Sequence, residues 1–232
     1  MDPLRILAID TALGLCSACV FDTVSDTAIS SESIPMDRGH AEALMPLIER
    51  VMDRVEGGFS SLDRVAASIG PGSFTGLRVG LSAGRAIAMA TDIPVVGVNT
   101  LSAFAAPYLD QSSDAWIVSV IDARHSHVYL QLMGSDGKLA LPPQIISIVD
   151  AVAAIGGKPV KVVGSAATLF GAALREAGQS PDVEPDRAGA DIDWIARLGA
   201  IADPQFAPPS PLYLRPPDAL PQTNGRIARA LF

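Results

Sequence analysis

The segment that most restricts this chain runs from Ala67 to Thr100, ASIGPGSFTGLRVGLSAGRAIAMATDIPVVGVNT. It reads as strand, glycine turn, helix and strand within 34 residues. The helix carries Gly76, Gly80, Gly84 and Ala88 at a constant spacing of four, and residues four apart share one helix face. An interior glycine costs about 1 kcal/mol relative to alanine. Gly80 and Gly84 together therefore demand a close contact that offsets roughly 2 kcal/mol. That face is made for the approach of another backbone. Spacing alone leaves open whether that backbone belongs to the same chain, to a ligand or to a second protein.

Gly70-Pro71-Gly72-Ser73 precedes the helix, and the amides of a helix start favour anions. The phosphate loops can be tested by spacing. A P-loop has four residues between its glycines, then Lys and Ser or Thr. Here five residues separate Gly70 from Gly76, and Leu77-Arg78 follow. A dinucleotide fingerprint is GxGxxG; Gly70 and Gly72 fit, but Thr75 stands in the third place. The turn therefore reads as a tight strand-to-helix connection packed on a neighbour, with Ser73 or Thr75 as helix cap.

The 232 residues suit one large domain or two small ones, long enough to bury roughly 70% of the unfolded surface. The net charge of −8 argues against a free-standing nucleic-acid binder. A place beside RNA would need a partner that supplies the basic surface. The N-terminal MDPLRILAID lacks the pattern of a signal peptide, and no apolar run is long enough to span a bilayer. A cytoplasmic location without membrane contact is expected. Cys16 and Cys19 form a CxxC inside GLCSACVFD, which reads as a strand. Residues three apart on a strand point to opposite faces, the wrong context for a redox pair or half a zinc site.

Along the chain, Arg5–Asp10, Leu15–Asp22 and Thr27–Pro35 read as strands. His40–Val55 carries Leu44, Leu47, Ile48, Val51, Met52 and Val55 at helical spacing, ended by Gly57-Gly58. Arg64–Ile69 is a strand, then come the glycine helix, a strand at Pro94–Val98 and a helix capped at Asn99-Thr100. The first half is thus β-β-β-α-β-α-β-α. The second half opens on Trp116–Ile121, followed by His127–Met133, Lys138–Ile148, a helix at Asp150–Ile155 and a strand at Pro159–Val163. Helices at Ala166–Ala177 and Asp191–Ile201 follow. Gln111–Asp114 reads as a polar connection, and proline-rich Gln205–Gln222 as an extended tail. Both halves begin with an apolar strand ending in Asp, ILAID at Asp10 and VSVID at Asp122. That repetition predicts two lobes with a cleft between them, residues 1–109 and 110–232.

Five segments together resemble the bacterial TsaB (YeaZ-type) family: ILAIDTA, HAEALMPLIERVM, the long GPGSFTGLRVGLSAGRAIAMATDIPVVGVNTLSAFA, DARHSHVY and PLYLRPPDA. They cover the first half densely and the second sparsely. The sequence departs from the family pattern at His127, where an acidic residue is usual. The resemblance implies an α/β, actin/hexokinase-like fold of two ribonuclease-H-like lobes with mixed sheets flanked by helices. It implies a non-catalytic scaffold for making threonylcarbamoyladenosine on tRNAs that read codons beginning with A. The implied partners are a TsaD-type catalytic subunit and a TsaE-type ATPase, with a homodimer when the partner is absent and tRNA met only indirectly.

Beside that resemblance, the residues themselves offer little catalytic chemistry. Asp10-Thr11 and Asp122 occupy the turns where nucleotide-binding members of the fold hold phosphates. Neither turn has the glycine that close phosphate approach needs, so Asp10, Thr11 and Asp122 form at most a residual nucleotide site. A metal site is not expected: His40 has Leu44 four residues on, and His125 and His127 have no third ligand nearby. There is no GxSxG or HExxH motif. No cofactor is expected. The surface helices remain, and the resemblance implies that they form a bundle with the same helices of the partner. The residues assigned to that interface are His40, Leu44, Leu47, Gly76, Leu77, Gly80, Leu81, Gly84, Arg85 and Ala88.

Overall fold

The computed structural model describes residues 3–109 and 114–215. The polar connection at 111–113 and the tail beyond Arg215 lie outside these residues. The first half runs β1 (Arg5–Asp10), β2 (Leu15–Asp22), β3 (Thr27–Pro35), α1 (His40–Met52), β4 (Arg64–Gly70), α2 (Phe74–Thr91), β5 (Val95–Asn99) and α3 (Thr100–Ala105). The second half runs β6 (Trp116–Arg124), β7 (His127–Met133), β8 (Leu139–Ser147), α4 (Ile148–Ile155), β9 (Val160–Gly164), α5 (Ala167–Glu176), β10 (Asp182–Val183) and α6 (Ile192–Ile201). The order β-β-β-α-β-α-β-α therefore occurs twice, as the paired strand–Asp signals predict. Sequence reading missed only the two-residue β10, which is too short to show a period. It also ran α1 on to Val55, whereas the helix ends at Met52 and a turn leads to a short 3-10 segment at Gly58–Ser61.

Among the described residues the strands form two sheets of one topology, β3-β2-β1-β4-β5 and β8-β7-β6-β9-β10. Each begins with an antiparallel meander and continues with parallel strands. Alternation on β1 shows how the layers stack. Leu7 and Ile9 face one side and join Leu44, Leu47, Ile48 and Val51 of α1. Ile6 and Ala8 face the other side, toward Leu101 and Phe104 of α3 and Ile192 and Ile195 of α6. The second sheet repeats this: Val118, Val120, Val128 and Leu130 pack on Ile155 of α4 and Phe170 of α5, while Ile117 and Ile121 turn inward to the shared α3/α6 layer.

A middle layer of α3 and α6 lies between the two sheets. α3 touches both sheets, β4 and β5 of the first and β6, β7 and β9 of the second, whereas α6 packs on β1, β2 and β4 of the first. α3 and α6 touch in the space between the sheets. The return of α6 to β1 and β4 depends on contacts far apart in sequence, which local periodicity does not report. After α6 the described residues, through Arg215, stay on the first lobe. Gly97 N donates to Ala207 O at 3.0 Å and Leu212 N donates to Ile69 O at 2.8 Å, so the proline-rich segment straps the β5 edge. Among the described residues no helix is long and apolar enough to cross a membrane.

Candidate functional site

The two helices singled out by sequence lie side by side on the outer face of the first sheet. Ser73 caps α2, its Oγ accepting from Gly76 N at 3.2 Å. Gly70, at φ +100°, turns the chain out of β4 in a conformation that side-chain-bearing residues rarely adopt. The glycine face of α2 points inward and meets its own chain. A Cβ on Gly76 would come 2.0 Å from Thr11 O, and one on Gly80 2.4 Å from Thr11 Oγ1. Gly84 lies over Val65 and Ala67 of β4. The approaching backbone is therefore the turn between β1 and β2, tied down by Ser73 N donating to Ala12 O at 2.7 Å and by Thr11 Oγ1 donating to Gly76 O at 2.7 Å.

This geometry reassigns most of the residues expected at a partner interface. His40, Leu44, Leu47, Gly76, Leu77, Gly80, Leu81, Gly84 and Ala88 are buried within this chain, and Arg85 is exposed. His40 Nε2 lies 3.2 Å from Leu13 O, so it anchors the start of α1 to the β1–β2 turn. The reason is steric: spacing of four identifies the face of closest approach, and that face is used up by β1 and its turn. What these helices leave open is the opposite side, with Ala41, Met45 and Pro46 among Glu42, Glu49 and Arg50 on α1, and Ser82, Ala86, Met89 and Ala90 on α2. Met45 is 50% exposed and Met89 83%.

The turn residues proposed for nucleotide contact do not share an environment. Asp10 and Thr11 are 0% and 1% exposed. Asp10 Oδ1 accepts from Ser68 Oγ at 2.5 Å and Ala12 N at 2.9 Å, and Oδ2 is buried without a partner among the described residues. Burial pushes the Asp10 carboxyl up against the pull of the Ser68 hydrogen bond. A carboxylate this enclosed cannot reach a phosphate-bound cation without opening the turn. Asp122, on the other sheet, is exposed and accepts from Arg124 N at 2.7 Å, ordering its own turn. His125 lies in that turn, at φ +51°, rather than on a strand, and its carbonyl is 2.7 Å from His127 Nδ1.

The cysteines sit on opposite sides of β2, as the strand reading requires. Cys16 joins the α1 side and Cys19 the inner layer. Burial pushes the Cys16 thiol up to about 11 and the Cys19 thiol higher still, so neither is poised as a thiolate. Between β2 and β3 of the first sheet and the 187–193 segment, an open groove of about 530 Å³ is bordered by Ser31, Ser33, Arg187, Asp191 and Asp193. The segment that borders it bridges the lobes, with Gly14 N donating to Ala188 O at 2.8 Å and Arg187 N to Gly164 O at 3.3 Å.

The family model described as TsaD, tRNA N6-adenosine threonylcarbamoyltransferase, matches residues 32–167. The tRNA threonylcarbamoyladenosine biosynthesis protein TsaB of Escherichia coli is 29% identical over 126 residues, 54% of this chain and 53% of that protein. The Haemophilus influenzae protein of the same name is 32% identical over 129 residues, again 53% of its length, so the chain spans about half the length of these curated relatives. An uncharacterized Mycobacterium bovis protein is 34% identical over 220 residues, covering 93% of this chain and 94% of that one. Among solved structures, YeaZ from Pseudomonas aeruginosa superposes with a TM-score of 0.72 at 21% identity, over 91% of this chain and all of that one. The ROK hexokinase of Thermus thermophilus superposes at 0.50 and 15% identity, over 85% of this chain and 99% of that one. The twice-repeated lobe is thus the actin/hexokinase-like fold, and the chain belongs to the TsaB (YeaZ-type) family.

Proposed function

We propose that this chain is a non-catalytic scaffold for threonylcarbamoyl transfer to adenosine 37 of tRNAs that read codons beginning with A. It pairs with a TsaD-type transferase subunit through the outer sides of α1 and α2, and a TsaE-type ATPase joins the assembly. The observation that carries this reading is the division of the first lobe. The Asp10–Thr11 turn, where a nucleotide-binding member of the fold would hold phosphate, is sealed beneath α2. The opposite side of the same helix presents apolar side chains to solvent. Exposed methionines suit a surface that adapts to a partner, and two helices side by side offer the ridges and grooves on which a second helix pair can pack. The naming of the curated relatives supplies the reaction to which the scaffold contributes.

The test is reconstitution. Unmodified tRNA, a threonylcarbamoyl donor and the cognate transferase and ATPase are combined with and without this chain. The expected result is product only when the chain is present, and none from the chain alone. Equal product without it would end the scaffold reading. ATP hydrolysis by the isolated chain, lost in Asp10→Ala, would replace it with a kinase-like or ATPase enzyme of the same fold.

A further inference from the structure

Several stretches of this acidic chain contain no carboxylate, and two of them meet on one surface. Residues 65–91 hold Arg78 and Arg85 but no Asp or Glu, and residues 204–217 hold Arg215 but no Asp or Glu. In a chain of net charge −8 the fold brings these two stretches together. The strap crosses the end of β4 and reaches α2: Arg85 Nη2 donates to Pro209 O at 2.5 Å, and Arg78 Nε donates to the Tyr213 hydroxyl at 3.2 Å. The Arg78 guanidinium stands 3.8 Å from the centre of the Phe74 ring, and the Phe74 and Tyr213 rings lie 5.3 Å apart. Phe74 is 51% exposed and Tyr213 47%. Among the described residues the ion pairs are made by other cations, none by Arg78, Arg85 or Arg215. A guanidinium has five N–H donors in a planar fork, and the strap engages only part of each fork while fixing where it points.

We propose that this surface docks an acidic segment of the partner protein. Asp or Glu carboxylates pair with the forks of Arg78 and Arg85, and an apolar side chain of the same segment rests on Phe74 and Tyr213. This rests on the scaffold reading and deepens it by giving the chemistry of what the partner presents. The planar fork matches a carboxylate in two parallel hydrogen bonds, and arginine beside aromatic rings is the composition of interface anchors. An RNA strand fits less well. Its affinity is built from many phosphate contacts, and the overall negative charge of this chain repels a polyanion at long range.

The experiment measures association of the full chain with the cognate transferase subunit by calorimetry at low and high salt, alongside association with unmodified tRNA. Arg78→Glu/Arg85→Glu should weaken protein association by about tenfold or more at low salt and by less at high salt. Arg78→Lys/Arg85→Lys, which keeps the charge and loses the fork, should fall between the two. Both side chains are exposed, so melting temperatures should stay near the parent's. If the parent binds the subunit and the charge-reversed variant binds equally at every salt concentration, this inference is overturned and the scaffold reading stands. If the parent does not bind the subunit, both go. If the variant loses tRNA binding and keeps protein binding, the surface belongs to RNA and the inference is wrong.

Discussion

The β1–β2 turn and the β6–β7 turn hold the same place in the two lobes, yet Asp10 is fully buried and Asp122 is exposed. The backbones around them are repeated closely. The strand leading to the helix ends in a left-handed glycine in both, Gly70 at φ +100° and Gly164 at φ +119°. What differs is the helix that follows. α2 brings Gly76 and Gly80 onto the first turn and closes it. α5 presents its glycine, Gly171, to the side chain of Val183 rather than to a turn. One fold unit thus buries its turn carboxylate or leaves it in water, according to where small residues lie on one helix. Both lobes expose apolar side chains on their outer helices, Met45 and Met89 on the closed lobe and Val149 and Leu169 on the open one, so it is the sealed turn beneath α2, not apolarity alone, that points to α1 and α2.

Glycine substitutions break this comparison hardest. In Gly76→Ala the new methyl would meet the backbone oxygen of Thr11, which cannot swing away. The loss should be about 3 kcal/mol or more, at the upper end for overpacking. In Gly171→Ala the obstacle is the Val183 side chain 2.6 Å away, and relaxation there should hold the loss to about 1 kcal/mol. Urea midpoints of the two variants check this; equal losses would mean that α2 does not lie on the turn as described. Substituting the ridge glycines with leucine is accordingly a test of folding, not of partner binding.

The next largest effect belongs to the open side. Met45→Asp/Met89→Asp should weaken association with the transferase subunit by about tenfold or more. The fold should hold to within about 0.5 kcal/mol per site, because Met45 is half exposed and Met89 mostly so. Size-exclusion titration reads the first and thermal melting the second. Unchanged association would move the interface off α1 and α2.

Asp10 sharpens the contrast through pH. Burial raises its folded-state value above the ordinary 3.8, so the folded chain keeps this proton to higher pH than the unfolded chain does. Stability from this group is therefore complete below the ordinary value and is lost as pH rises through the folded one. Asp10→Asn cannot ionise, so its melting temperature should improve relative to the parent as pH rises above the ordinary carboxylate value of 3.8. A gap that narrows over that rise would show the carboxylate to be favourably paired instead. The smallest effect is at Asp122, where replacement by alanine removes one exposed turn hydrogen bond and should cost no more than about 1 kcal/mol.

Much of this was legible before any coordinates. The apolar strands ending at Asp10 and Asp122 announced the duplication, and Asn99 announced the cap of α3, accepting from the N–H groups of Leu101 and Ser102. The glycine ridge announced a close approach. It could not say which backbone approaches, because a spacing of four defines a face and not its neighbour. The return of α6 to the first sheet and the strap of Ala207–Tyr213 were hidden for the same reason: they are set by contacts more than a hundred residues apart. The open methionine side was hidden because single exposed apolar residues are ordinary on any surface, and only burial of the opposite face singles it out.

The central claim is that the closed turn is structural and the open helix side functional. It is tested most directly by product formation in the reconstituted mixture with Asp10→Asn and with Met45→Asp/Met89→Asp in place of the parent. Near-parental product with Asp10→Asn and little or none with the methionine pair is the result expected here. Loss of product with a well-folded Asp10→Asn, and full product with the methionine pair, would contradict it and return the chemistry to the β1–β2 turn.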